Sequence, residues 1–194
     1  MALRLAQNAE ADALISNDAF ALLVGMILDQ QIPLERAFAA PLELRTRLGG
    51  RLDARQVAEM DPDVLTEAFV RKPALHRFPA ANAERVRTFA DIVIDEYAGN
   101  AETIWTTAAN GTELLKRIEA LPGFGKQKAK IFVALLGKQL GVKPKGWRDA
   151  CSPFGDAGTT MSIADIKNEK TLAAVRAWKQ AKKAAAVTAA TSTD

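Results

Sequence analysis

Cysteine is nearly absent from this chain: Cys151 is the single one in 194 residues. One thiol cannot close an internal disulfide, and it cannot supply a four-cysteine zinc or iron–sulfur site. The expected compartment is therefore a reducing one, the cytoplasm. Long apolar runs are missing too. The longest, Ala19–Leu28, is ten residues, half of the roughly 20 that a spanning helix needs, so no membrane partner is expected. The first twelve residues already mix charged with apolar side chains and do not read as a signal peptide. Also nearly absent is the alternation of β-branched residues that marks strands, while alanine is abundant. Sheet architectures are set aside in favour of an all-α fold.

What is present suits a globular chain. Hydrophobic residues make up 48% and charged residues 25%, ordinary for a soluble domain. A chain of this length buries roughly 70% of its unfolded surface. The expected organisation is one helical domain over residues 1–187 with a frayed tail at 188–194. Charge is unevenly spread. Residues 1–110 hold 11 Lys and Arg against 16 Asp and Glu, whereas residues 111–194 hold 15 against 7. Within residues 116–148, nine basic residues face one acid, Glu119. Such asymmetry suits a face that meets a polyanion, nucleic acid first. The plainer reading is a solvated basic helix surface.

Helix follows helix along the chain. Asn17 or Asp18 can cap a helix running to about Gln31, and its middle, "AFALLVGMIL", is apolar on every side, which places it at the centre of the fold. Residues 34–48 carry apolar side chains at helical spacing until Gly49-Gly50 breaks the run. A short helix stops before Pro62, and Asp61-Pro62 starts another over residues 63–70. Pro73 and Pro79 punctuate a loop. Residues 82–97 form an amphipathic helix closed by Gly99-Asn100. Gly111 or Thr112 opens the next, with Leu114, Leu115 and Ile118 inward. After "LPGFG" a helix runs to about Leu140. The pattern dissolves over residues 141–161, and a last helix covers roughly 171–186.

The stretch "LPGFGKQKAK", residues 121–130, carries the clearest chemistry. Pro122 discourages continuation of the preceding helix. Gly123 and Gly125 permit positive φ and close approach of another backbone. The following helix opens with unpaired N–H groups and the positive end of its dipole, a seat for phosphate. Lys126, Lys128 and Lys130 add charge, and sequence-independent DNA binding rests on contacts of this kind.

"ALPGFGKQKAKIFVALL" resembles the helix-hairpin-helix of the DNA glycosylase superfamily that includes endonuclease III and the alkyladenine glycosylases. About ninety residues upstream, "MILDQQIPLERA" is similar to the family segment in which a buried helix ends in a polar pair. Together the two cover roughly residues 14–140. The resemblance implies an all-α, two-lobed fold with a cleft and a partner in double-stranded DNA, gripped by Gly123, Phe124, Gly125, Lys126, Gln127, Lys128 and Lys130. It also implies a monomer, with nucleoid association in a bacterial source. Members turn a damaged nucleotide out of the stack. Gln31 is the expected wedge that fills the gap, with Gln30 second; the plainer reading makes both caps of a helix end. The resemblance further allows a monovalent cation on the hairpin carbonyls. No other metal, cofactor or iron–sulfur cluster is expected.

Two features narrow the expected reaction. Members with lyase activity carry a nucleophilic lysine where Gln127 stands, and an amide forms no Schiff base. Lys126 and Lys128 are each about 100° away around the helix, so they are expected to face phosphate or solvent. The family's catalytic aspartate follows the second helix of the hairpin. Here Asp149 is first in spacing, Asp165 has the better apolar lead-in, and Asp156 lies between; each also reads as a turn or cap aspartate. His76 reads as a loop residue near the cleft, and Trp147 as core or as a platform for an extruded base. The expected function is base-excision repair by a monofunctional glycosylase that hydrolyses the N-glycosidic bond. The alternatives are a non-catalytic, damage-sensing DNA binder on the same scaffold and a helical protein-interaction domain.

Overall fold

The computed structural model describes residues 2–191, with side chains described through residue 185. Among the described residues every regular element is helical. The helices are α1 (Ala9–Asn17), α2 (Ala19–Leu28), α3 (Leu34–Arg47), α4 (Ala54–Glu59), α5 (Pro62–Val70), α6 (Pro79–Tyr97), α7 (Thr103–Thr106), α8 (Gly111–Glu119), α9 (Lys126–Gln139), α10 (Trp147–Ala150) and α11 (Glu169–Thr191), with a 3-10 turn at Ile163–Asp165. No single helix among the described residues is long and apolar enough to cross a membrane.

The helix starts follow capping chemistry. Asp18, Asp53 and Asn110 each accept a backbone N–H from the first turn they open, on α2, α4 and α8. Pro62 and Pro79 stand at the first turns of α5 and α6, where a missing N–H costs nothing. The α6 helix therefore begins three residues before the expected Asn82. The α2 helix ends at Leu28, three residues before Gln31, because Asp29 and the residues after it turn out of the helix and Gln31 takes a left-handed φ of +56°. Helix α11 continues to Thr191 instead of fraying at 186: no glycine or proline interrupts its alanine-rich run. The rest of the expected frayed tail, 192–194, lies outside the described residues.

The α2 helix is the centre of the fold, with Phe20 through Leu28 all buried. Each large apolar side chain removed from water there contributes about 1.5–3 kcal/mol. Its Gly25 lets α3 in close, since a Cβ would stand 2.9 Å from a Phe38 ring carbon. Phe20 stacks on Phe89 of α6 at 5.1 Å between centroids. A second group forms around α8 and α9, where Phe132 meets Trp105 and Phe124 edge-on. Both groups share one continuous core.

The segment 141–161, unpatterned in sequence, folds back onto α8 and α9. Trp147 is its anchor, lying so close to Gly111 and Gly137 that a Cβ on either would meet it within 2.4 Å. Trp147 is thereby buried, with the Arg148 guanidinium over its ring at 4.7 Å. That corrects its reading as a base-stacking platform: the ring is buried and the Arg148 guanidinium lies over it.

Candidate nucleic-acid interface

The hairpin turns on Gly123, whose φ is +79°. Gly125 has an ordinary φ of −90° and open space where a Cβ would sit, so its expected positive φ is corrected and its use is close approach alone. The N–H groups of Gly123, Gly125, Lys126 and Gln127 donate to no acceptor among the described residues. They crowd the start of a 14-residue helix, where the dipole is positive. Lys126 and Gln127 are exposed beside them. An anion placed there would meet unpaired donors and a free ammonium group.

The other expected contacts separate. Phe124 is buried, T-shaped on Phe132 at 5.8 Å, and its N–H closes the turn onto the Leu121 carbonyl. Its ring holds the hairpin to the core and does not face outward. Lys130 donates to the Ser152 carbonyl at 3.1 Å, tying α9 to the following loop. Lys128 points neither to phosphate nor to open solvent. It folds back to the C-terminal end of α2, where Nζ lies 3.4 Å from the Ile27 carbonyl and 5.4 Å from the Phe124 ring centre. Burial lowers its pKa to about 8, partly opposed by the Asp29 charge and reinforced by Arg85.

A closed circuit of polar contacts fixes the mouth. Gln30 donates its side-chain amide to the Gly123 carbonyl at 3.1 Å. The Gln30 backbone carbonyl takes a hydrogen bond from His76 Nε2 at 2.8 Å. A carbonyl can only accept, so Nε2 carries the proton and Nδ1 is the acceptor. Nδ1 receives the Phe78 N–H at 3.0 Å and the Asn82 amide at 2.8 Å. Asn82 in turn accepts from Arg85 at 3.0 Å, and the Arg85 stem presses on Gly123. His76 is thus a buried positioning residue with both ring nitrogens committed. Its pKa is held below the ordinary 6.5 by burial, helped by nearby arginines and opposed by the Gln30 bond.

Within this frame Gln31 is the residue left loose. It is exposed, makes no side-chain hydrogen bond among the described residues, and holds a φ of +56°, a conformation costing about 1–3 kcal/mol for a non-glycine residue. Gln30, the second wedge candidate, is spent on the hairpin. Phe78, 47% exposed with Arg77 over its ring, stands beside the same turn; nothing in its sequence context marked it.

Three carboxylates were expected as candidates, and the structure separates them. Asp165 is a saturated capping group. Oδ1 accepts from Lys138 at 2.7 Å and Thr159 at 3.1 Å, while Oδ2 accepts the N–H groups of Met161 and Ser162. No lone pair is left to hold a water, which corrects its place among the catalytic candidates. Asp156 is exposed in a turn. Asp149 is exposed on α10, with no side-chain partner among the described residues. A fourth, Asp29, was passed over in sequence as part of a helix end. It is half-buried at the end of α2, and its carboxylate has no hydrogen bond and no ion pair within 4 Å among the described residues. Burial raises its pKa, against the pull of Lys128 and Lys179. The clue was a lone acid closing ten apolar residues.

The hairpin does not fit a dedicated cation cage. The Leu121 carbonyl accepts the Phe124 N–H, and the Gly123 carbonyl faces the Gln30 amide hydrogens, whose positive ends oppose a cation. Among the described residues no three His, Cys, Asp or Glu side chains gather as a metal-ligating group. Cys151 is buried and its thiol is pushed up to about 11 by desolvation, so it is not a ready nucleophile. Set against family models, curated proteins and solved structures, the chain matches none.

Proposed function

We propose that the chain is a DNA glycosylase of base-excision repair, acting as a monomer on double-stranded DNA and hydrolysing the bond between a damaged base and its sugar. The observation that carries this reading is the mouth itself: unpaired hairpin N–H groups and Lys126 stand beside a loose, left-handed Gln31 and a partnerless Asp29. The hairpin would hold one backbone phosphate, and Gln31 would enter the stack as a base leaves it. As the glycosidic bond breaks, positive charge develops on the sugar. A carboxylate beside it stabilises that charge and takes a proton from the attacking water. Asp29 is favoured over Asp149 because it is desolvated and adjoins the hairpin contacts; a raised pKa suits proton transfer near neutral pH. Gln127 supplies no amine, so hydrolysis is the expected chemistry.

Purified protein incubated with duplexes bearing alkylated, deaminated or oxidised bases is expected to release one of these classes. Asp29→Asn should stop release and keep duplex binding, and Asp149→Asn should leave release intact. The opposite pattern would move the role to Asp149. One observation favours a second reading, a non-catalytic duplex binder: neither free carboxylate is aimed by a hydrogen bond. Tight binding with no release from any duplex would establish it.

A further inference from the structure

A cavity of about 350 Å³ opens at the C-terminal end of α9, between that helix and the loop leading to α11. Four cations line it: Lys138, Lys143, Arg148 and Lys167. Its one acid, Asp165, is already neutralised by Lys138 at 2.7 Å, which leaves a lining charge of +3 from four cations and one carboxylate. Lys143 and Lys167 are exposed and make no ion pair among the described residues. The Arg148 guanidinium carbon sits over the Trp147 ring, 4.7 Å from its centre. Lys138 spends two of its three protons, on Asp165 and Thr159, and keeps one.

The wall facing these cations is backbone-rich. Ala157 and Gly158 line the cavity, Gly158 at a φ of +74°, and their N–H groups donate to no acceptor among the described residues. Unpaired main-chain donors beside uncompensated cations make a concavity for an anion. The lining holds no aromatic side chain on which a base could stack, so it suits a compact oxyanion better than a nucleobase.

We propose that this cavity binds a phosphate group. Arg148 and the free proton of Lys138 supply charge-assisted hydrogen bonds, the loop N–H groups complete the shell, and Lys143 and Lys167 close the rim. Two sources share this chemistry: the backbone of a bound duplex and a free phosphate or pyrophosphate. Gln127 and Lys138 project from the same side of α9, because eleven residues come within about 20° of three full turns. They are about 16 Å apart along the axis, roughly five steps of a DNA strand. A strand leaving the hairpin could therefore reach the cavity.

The test follows backbone amide signals of the full-length, nitrogen-15-labelled chain during addition of inorganic phosphate, pyrophosphate or a short undamaged duplex. Chloride at matched ionic strength is the control. Saturable shifts at Ala157, Gly158 and Thr159 are expected. In the Lys143→Glu, Lys167→Glu double variant the affinity should fall by at least about tenfold; both side chains are exposed, and an unchanged melting temperature checks the fold. Shifts with duplex alone would assign the phosphate to the DNA backbone, and the double variant should then lower the salt dependence of duplex binding by about 2. Shifts with free phosphate alone would assign a small anion. Shifts that chloride reproduces, that the double variant leaves unchanged, or that no phosphate source produces would overturn the proposal. The free-phosphate arm uses no DNA and no base release, so it stands apart from the glycosylase reading.

Discussion

Gln30 and Gly123 lie 93 positions apart in sequence and are joined by a 3.1 Å hydrogen bond from side-chain amide to backbone carbonyl. That bond ties the end of the central helix to the hairpin, so the two halves of the mouth move together. Gln30→Ala removes the tie and no charge. Duplex affinity should fall while its salt dependence stays the same, and stability should drop by about 1 kcal/mol. Lys126→Gln should do the reverse, lowering the logarithmic salt slope by about 0.9 with stability unchanged. Fluorescence anisotropy across a salt series reads both.

The hairpin glycines should separate stability from grip. At Gly123 an alanine meets a left-handed φ of +79°, the Arg85 Cδ at 2.9 Å and the Gln30 amide at 3.3 Å. Gly123→Ala is expected to cost about 1–3 kcal/mol and to weaken binding with it. At Gly125, φ is −90° and nothing lies within 4 Å of a Cβ. Gly125→Ala should fold as well as the parent or better, by about 0.4–1 kcal/mol. A methyl there would still stand between a phosphate and the free N–H groups. Undiminished duplex affinity in Gly125→Ala would remove the hairpin from the contact surface.

Most helices were legible because their causes are local: the cap at Asp18, the proline at the first turn of α5, and apolar periodicity. The hairpin was legible for the same reason, since Pro122, Gly123 and Gly125 set its backbone within a few residues. The mouth was not. The value of His76 lies in Gln30 and Asn82, and that of Asp29 in Lys128 and the absence of a closer partner; none of these pairings leaves a periodic trace. Lysines were misjudged in a related way. Alternate spacing along a helix sends Lys126, Lys128 and Lys130 in three directions, and only packing decides which of them reaches solvent.

The single histidine gives a clean pH window. Its pKa in the fold is lowered from 6.5 because burial, helped by the charges of Arg85, Arg36 and Arg77, favours the neutral ring. As pH falls below 6.5, the unfolded chain takes up a proton that the folded chain refuses. Stability is therefore greatest above 6.5 and is lost as pH falls toward the folded pKa. Asp29 acts oppositely: its raised pKa makes the fold lose stability as pH climbs from 3.8 toward the folded value. Urea midpoints between pH 5.5 and 7.5 should decline toward acid in the parent and flatten in His76→Gln. A decline of equal size in the variant would place its origin elsewhere.

Lys128 should add a second pH effect, this time on binding. Its ammonium group is charged below about 8 and neutral above. Duplex affinity should fall between pH 7 and pH 9 in the parent and stay level over that range in Lys128→Gln. Asp29→Asn takes away the charge that props the lysine up, so the fall should begin at lower pH. For stability the sign is the other way. The unfolded lysine keeps its proton to about 10.5, so the fold gains stability as pH rises from about 8 to that value.

Asp149 was the candidate by spacing and Asp165 by its apolar lead-in, and stability should separate them. The Asp165 carboxylate takes four hydrogen bonds, one of them from a Lys138 ammonium group that is itself mostly buried. Asp165→Asn turns one acceptor into a donor facing N–H groups and leaves Lys138 unpaired, a loss on the order of 3–5 kcal/mol. Asp149 is exposed and its carboxylate has no hydrogen bond or ion pair among the described residues, so Asp149→Asn should fall within about 0.5 kcal/mol of the parent. Denaturant titration gives both numbers. Base release measured at low temperature, per folded molecule, then isolates the chemistry. A carboxylate with every lone pair occupied has nothing to offer a water, so the folded fraction of Asp165→Asn should work at the parent rate. A slower rate in that fraction would return Asp165 to the reaction.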